Sequence, residues 1–144
     1  MAPPKSGYSN AQSDGFLAIA TALRAAGSTL RANVEIGVVV DFDTVRVSDV
    51  VVRSREADTD NLMPPDAARL VVEIANQSLT KDLGLKARDY AATGIPEYWV
   101  VDIAARVIHL HRDHGPDGYA TRTVAVFGAP IHAACLPEPI VFDG

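Results

Sequence analysis

Residues 68–77 read ARLVVEIANQ, and within them Leu70, Val71, Val72 and Ile74 form a strand with apolar side chains on both faces. Successive strand side chains point to opposite sides, so such a run needs cover on both. Glu73 stands in its middle. An ionised carboxylate there costs on the order of several kcal/mol unless a partner compensates it. Upstream, VRVSDVVV repeats the situation, with Asp49 interrupting Val45, Val47, Val50, Val51 and Val52. Two acids set into two buried strands point to a site.

The surrounding chain has room for a core around them. It has 144 residues, 48% hydrophobic and 22% charged, which predicts one domain, residues 11–144, behind a flexible N-terminal arm of residues 1–10. DGFLAIATALRAAGS carries Phe16, Ile19, Ala20 and Leu23 at helical spacing, with Gly27 as its stop. NVEIGVVVDFD and TVRVSDVVVRS read as a hairpin, and residues 54–67 as a surface loop. After the Glu73 strand, Leu83, Ala87, Tyr90 and Ala91 form a helical stripe, with Thr80 as N-cap and Gly94-Ile95-Pro96 as the end. EYWVVDI, ARVIHLHRD and YATRTVAVF read as further strands, Asp102 capping the turn between the first two. The order predicts an α/β or α+β domain with a mixed sheet and a helix packed beside the Glu73 strand.

If the two acidic strands are neighbours, their carboxylates converge. Two oxygen ligands, a nearby backbone carbonyl and waters are the usual set for Mg²⁺ or Mn²⁺, which suits phosphodiester hydrolysis. Lys86, on the following helix, is the cation that such chemistry needs, and Tyr90 shares its face one turn on. The net charge of −5 disfavours a protein that coats nucleic acid through a broad basic face, but not one that meets phosphates at a cation-bearing site. A single cysteine, Cys135, excludes an intramolecular disulfide and reads as a small buried hydrophobe. No stretch has the length of a membrane span or the apolar core of a signal peptide, so the expected location is the cytoplasm. His109 and His111 alternate around Leu110 with no third ligand in view, and are expected on an exposed face.

SDVVV, LVVEIANQS and KDLGLKARDYAATGIPEYWVVD, taken together, resemble the Uma-two family of restriction endonuclease-like proteins, in the PD-(D/E)XK nuclease superfamily. The resemblance spans roughly residues 10 to 142. It implies an α/β fold with a restriction-endonuclease-like core, a mixed central β-sheet flanked by helices. It also implies metal-dependent phosphodiester cleavage, with Asp49 and Glu73 as metal ligands and Lys86 as catalytic lysine. The leading reading is cleavage of DNA with Mg²⁺ or Mn²⁺, the Ile74 carbonyl as a further ligand and Tyr90 placed to orient Lys86 or a phosphate. Ser48 replaces the motif proline, and Ala75 stands where the motif lysine usually lies, so the role moves to the helix. Relatives often carry an upstream acid, a place for which Glu35 is the candidate, and the resemblance suggests a homodimer. The rival reading is a binding or assembly module that keeps the nuclease fold without turnover, motivated by Asn76-Gln77-Ser78 after the acidic strand.

Overall fold

The computed structural model describes residues 5–54 and 62–143. Helix α1 (Lys5–Ala25) leads into the hairpin β1 (Leu30–Asp41) and β2 (Thr44–Ser54). Then come β3 (Leu62–Met63), a 3₁₀ turn (Pro65–Ala67) and β4 (Ala68–Ala75). A helical segment follows as α2 (Leu79–Lys81), a π-helical turn (Asp82–Lys86) and α3 (Ala87–Ala92). The chain continues through β5 (Glu97–Asp102), β6 (Val107–Gly115), β7 (Gly118–Val126), β8 (Pro130–Ile131) and β9 (Ile140–Val141). Among the described residues seven strands form one mixed sheet in the order β3-β1-β2-β4-β5-β6-β7, and β8 pairs with β9 separately. β4 and β5 run parallel, as do β1 and β3, while the other pairs are antiparallel.

The doubly apolar strands lie where that pattern demands. In β4, Leu70, Val72 and Ile74 pack towards α1, while Val71 and Ala75 pack towards α3. β5 repeats the alternation, with Trp99 and Val101 on the α1 side and Tyr98 and Val100 on the other. Two antiparallel strands need only a turn between them, whereas parallel β4 and β5 need a crossover. The helical segment from Leu79 to Ala92 is that crossover, and it lays the face carrying Asp82 and Lys86 over β4. No helix among the described residues is long and apolar enough to cross a membrane.

Four expectations change. Residues 5–10, read as part of a loose arm, are the first turns of α1, because Tyr8 anchors them on β2; residues 1–4 lie outside the described residues. Thr80 is inside the helix rather than capping it, and Ser78, which precedes it, gives its hydroxyl to Asp82 instead of a backbone amide. Part of the loop at residues 54–67 is ordered as β3 and the 3₁₀ turn, with residues 55–61 outside the description. His111 is buried, not exposed, because α3 and Tyr119 cover that face of β6. The Asp102 turn is as read: its Oδ1 accepts from the Ala105 amide at 3.0 Å.

Gly94 closes α3 at φ +90, and the amides of Gly94 and Ile95 return to the Ala91 and Tyr90 carbonyls. A Cβ there would meet His114 Cε1 at a comfortable 3.9 Å, so backbone strain alone penalises a side chain. Gly94→Ala is expected to lower unfolding free energy by about 1–2 kcal/mol in urea titration, with an unchanged slope.

A candidate active site at a strand fork

The β2–β4 ladder runs from Arg53↔Ala68 to Val50↔Val72 and ends there. One residue further on, the acids replace it. The Asp49 amide donates to Glu73 Oε1 at 3.0 Å, and the Ile74 amide donates to Asp49 Oδ2 at 2.7 Å. Side-chain oxygens thus accept the amides that the separating backbones leave unpaired, which is why two carboxylates are tolerated inside a sheet.

Asp49 reaches this gap through a change of strand face. After it Val50 and Val52 pack on the α1 side, whereas before it Ser48 and Arg46 reach Tyr90 and Asp89 on α3. The same switch occurs on β1, where Ala32 packs on the α1 side and Val38 on the other. Register places Glu35 opposite Asp49, between Val34↔Val50 and Ile36↔Ser48, and Glu35 has φ 55. A non-glycine residue in that left-handed region is strained, and such strain gathers at functional sites. Glu35 itself is exposed and makes no bond to either acid, although its charge adds to the rise in the Tyr8 pKa.

Lys86 completes the core of the site. Its Nζ lies 3.1 Å from Glu73 Oε2 and 2.8 Å from Asp82 Oδ1, bridging two carboxylates that are almost wholly buried. The π-turn from Asp82 to Lys86 sets this pair, and such turns are frequent at functional sites. Tyr90 makes no side-chain hydrogen bond to Lys86: its hydroxyl shares a 3.2 Å bond with Ser48, and its ring packs on Tyr98. Tyr98 in turn donates to the Asp82 carbonyl at 2.9 Å, tying the helix to β5.

From the other layer, the Tyr8 hydroxyl donates to Asp49 Oδ1, and Gln12 Nε2 donates to the Asp49 carbonyl at 3.0 Å. Sequence reasoning missed Tyr8, Gln12 and the depth of Asp82. Only Asp82 carried a signal, its position one helical turn before Lys86. Among the described residues no three of His, Cys, Asp and Glu gather as a metal-binding cluster.

Burial dominates the electrostatics. It pushes Glu73 up to about 7, against the opposing pull of Lys86 and with a further push from Asp49. Asp49 is also raised, by burial, although Tyr8 and the Ile74 amide favour its charge. For Lys86 burial acts downward, but Glu73 and Asp82 outweigh it and its pKa is raised. The ammonium therefore stays charged at neutral pH, whereas burial draws Glu73 towards its neutral form.

The family model described as "Putative restriction endonuclease" matches residues 1–141. The chain belongs to the Uma-two family. A crystal structure of a "putative nuclease" from Anabaena variabilis is similar in fold, with TM-score 0.67 and 19% identity, covering 92% of this chain and 75% of that one. No curated protein matches. The Uma-two fold is thus the α/β architecture expected from the sequence.

Two outcomes follow from the fork. Glu73 has a folded pKa near 7 against an ordinary 4.5, so its neutral form favours folding. That contribution is complete below the unfolded value and lost as pH rises through about 7. Metal-free protein should lose about 3 kcal/mol of stability between about pH 5 and pH 8, and Glu73→Gln should flatten most of the slope in urea titrations. Tyr8→Phe removes a donor to a carboxylate and should cost about 1–3 kcal/mol, a loss that disappears in an Asp49→Ala background by double-mutant cycle.

Proposed function

We propose that this Uma-two protein is a divalent-cation-dependent endonuclease that hydrolyses DNA phosphodiesters at the β2–β4 fork. The observation that carries the reading is the convergence of Asp49 and Glu73 in one gap of the sheet with the Lys86 ammonium against Glu73. The donors fit Mg²⁺ or Mn²⁺, being hard oxygens. The Ile74 amide is turned towards Asp49, and the N–H and C=O of one extended residue point to the same edge, so the Ile74 carbonyl faces that gap too. Asp49, Glu73 and the Ile74 carbonyl would hold the ion. Bound there, it would supply Lewis acidity at the phosphate and a more acidic water.

The chain's own residues do the rest. Lys86 remains protonated, so it serves as a fixed charge and hydrogen-bond donor, orienting the attacking water or stabilising charge on the phosphoryl oxygens, rather than as a base. Asp82 and Glu73 hold the ammonium from both sides. Tyr90 is a positioning residue, fixing β2 through Ser48 beside Asp49. Tyr8 and Gln12 hold Asp49 from α1. Cleavage of both strands of a duplex favours two-fold symmetry, so the active species in this reading is a homodimer.

Calorimetric titration with Mn²⁺ is the test. Saturable binding is expected in the wild type and lost in Asp49→Asn and Glu73→Gln, with affinity rising through about pH 7 as Glu73 gives up its proton. Lys86→Ala should retain Mn²⁺ binding yet cleave DNA at least about 100-fold more slowly. DNA should bind weakly without the ion, because two carboxylates then face the phosphates. Absence of Mn²⁺ binding would leave a nuclease fold used for binding or assembly.

A further inference from the structure

On the opposite side of the same helix a groove of about 310 Å³ separates the helical segment from the β6–β7 hairpin. Its charged and polar lining comes from Arg88 on α3, Arg122 and Tyr119 on β7, Asp117 in the hairpin turn and His111 on β6, with Gly84 leaving one wall bare. His111 is 4% exposed. Its Nδ1 lies 3.0 Å from the Tyr98 carbonyl, which can only accept, so Nδ1 carries the proton in the neutral ring. Nε2 is then a buried acceptor with no partner. Neither Arg88 nor Arg122 has an ion pair or a side-chain hydrogen bond among the described residues.

Buried polar atoms in native proteins are nearly always satisfied, so an orphan on a residue that lines the groove asks for a ligand. Two guanidiniums against one carboxylate make that ligand an anion, and the guanidinium fork matches phosphate oxygens. We propose that this groove is a phosphate site, formed by Arg88, Arg122 and His111, that takes a backbone phosphodiester of nucleic acid away from the scissile bond. That assignment of source rests on the nuclease reading; the phosphate chemistry does not.

The site carries its own proton linkage. An anion at Nε2 needs an N–H there, so the ring takes up one proton on binding. In the free protein burial and then Arg122 hold the His111 pKa down, with the His109 ring adding to this and the Tyr98 and His109 backbones opposing it. Tyr98 and Tyr119 pack on the imidazole without charge, while Arg88 and Asp117 face it across the groove. A phosphate between the arginines offsets their charge and stabilises the imidazolium. Affinity should therefore increase as pH falls.

The test uses metal-free full-length protein and inorganic phosphate, following the His111 ring proton by NMR as pH is varied. Phosphate should raise the His111 midpoint by about one unit. Arg122→Gln should start from a higher midpoint and show no phosphate response, and Arg88→Gln a weakened one. A wild-type midpoint indifferent to phosphate would overturn the site. A second arm measures duplex DNA binding with Mn²⁺ in a Lys86→Ala background. Replacing both arginines by Gln should reduce the slope of log affinity against log salt by about one, the share of a single phosphate, leaving Mn²⁺ binding unchanged. An unchanged slope overturns the nucleic-acid assignment while leaving the nuclease reading intact. If no DNA binds although phosphate shifts His111, the nuclease reading fails and the groove stands as a site for free phosphate.

Discussion

Everything at this site depends on two side-chain hydrogen bonds that continue a sheet after its backbone ladder has stopped. Asp49 and Glu73 accept each other's strand amides across the β2–β4 gap. Without those acceptors, two buried N–H groups would lack partners where the strands part, and closing the gap would remove the site. The same two carboxylates are then held from three directions, Asp49 by Tyr8 on α1, Glu73 by Lys86 on the helical crossover, and both by the strand amides. A shift in any one layer is felt by both carboxylates.

Burial makes the arrangement chemically poised. The Glu73 pKa is raised by the same desolvation that a cation would relieve. Lys86, bridged by two carboxylates, cannot lose its proton in that range. The fork is consequently less stable than an apolar one, a common balance where a fold retains charge for function.

The helix from Leu79 to Ala92 links the fork to the rest of the molecule. One side carries Lys86 to Glu73 and Asp89 to Arg46. The other borders the groove with Arg88, above a row of rings in which Tyr90 packs on Tyr98, and Tyr98 on His111 and Tyr119. In the proposed reading a nucleic acid engaging both sides would cross this helix, and an acidic chain would then hold a polyanion at a few points rather than along a basic face.

Local pattern carried much of this. The apolar run around Glu73, the alternation of β1 and β2, and the Gly94-Ile95-Pro96 stop fixed strands, hairpin and helix, because periodicity and turn chemistry act between near neighbours. An acid in a doubly apolar strand announced itself by its cost, so Asp49 and Glu73 were readable, and Lys86 followed from the helix after them. Tyr8, Gln12 and His111 were not. Tyr8 sits in a stretch whose prolines and glycine look loose, and its partner is 41 positions away. His111 alternates like any exposed strand residue until α3 covers it. Which residues have partners across layers depends on how the helices lie on the sheet, and that is decided by packing the whole core at once, a quantity no single window of sequence contains.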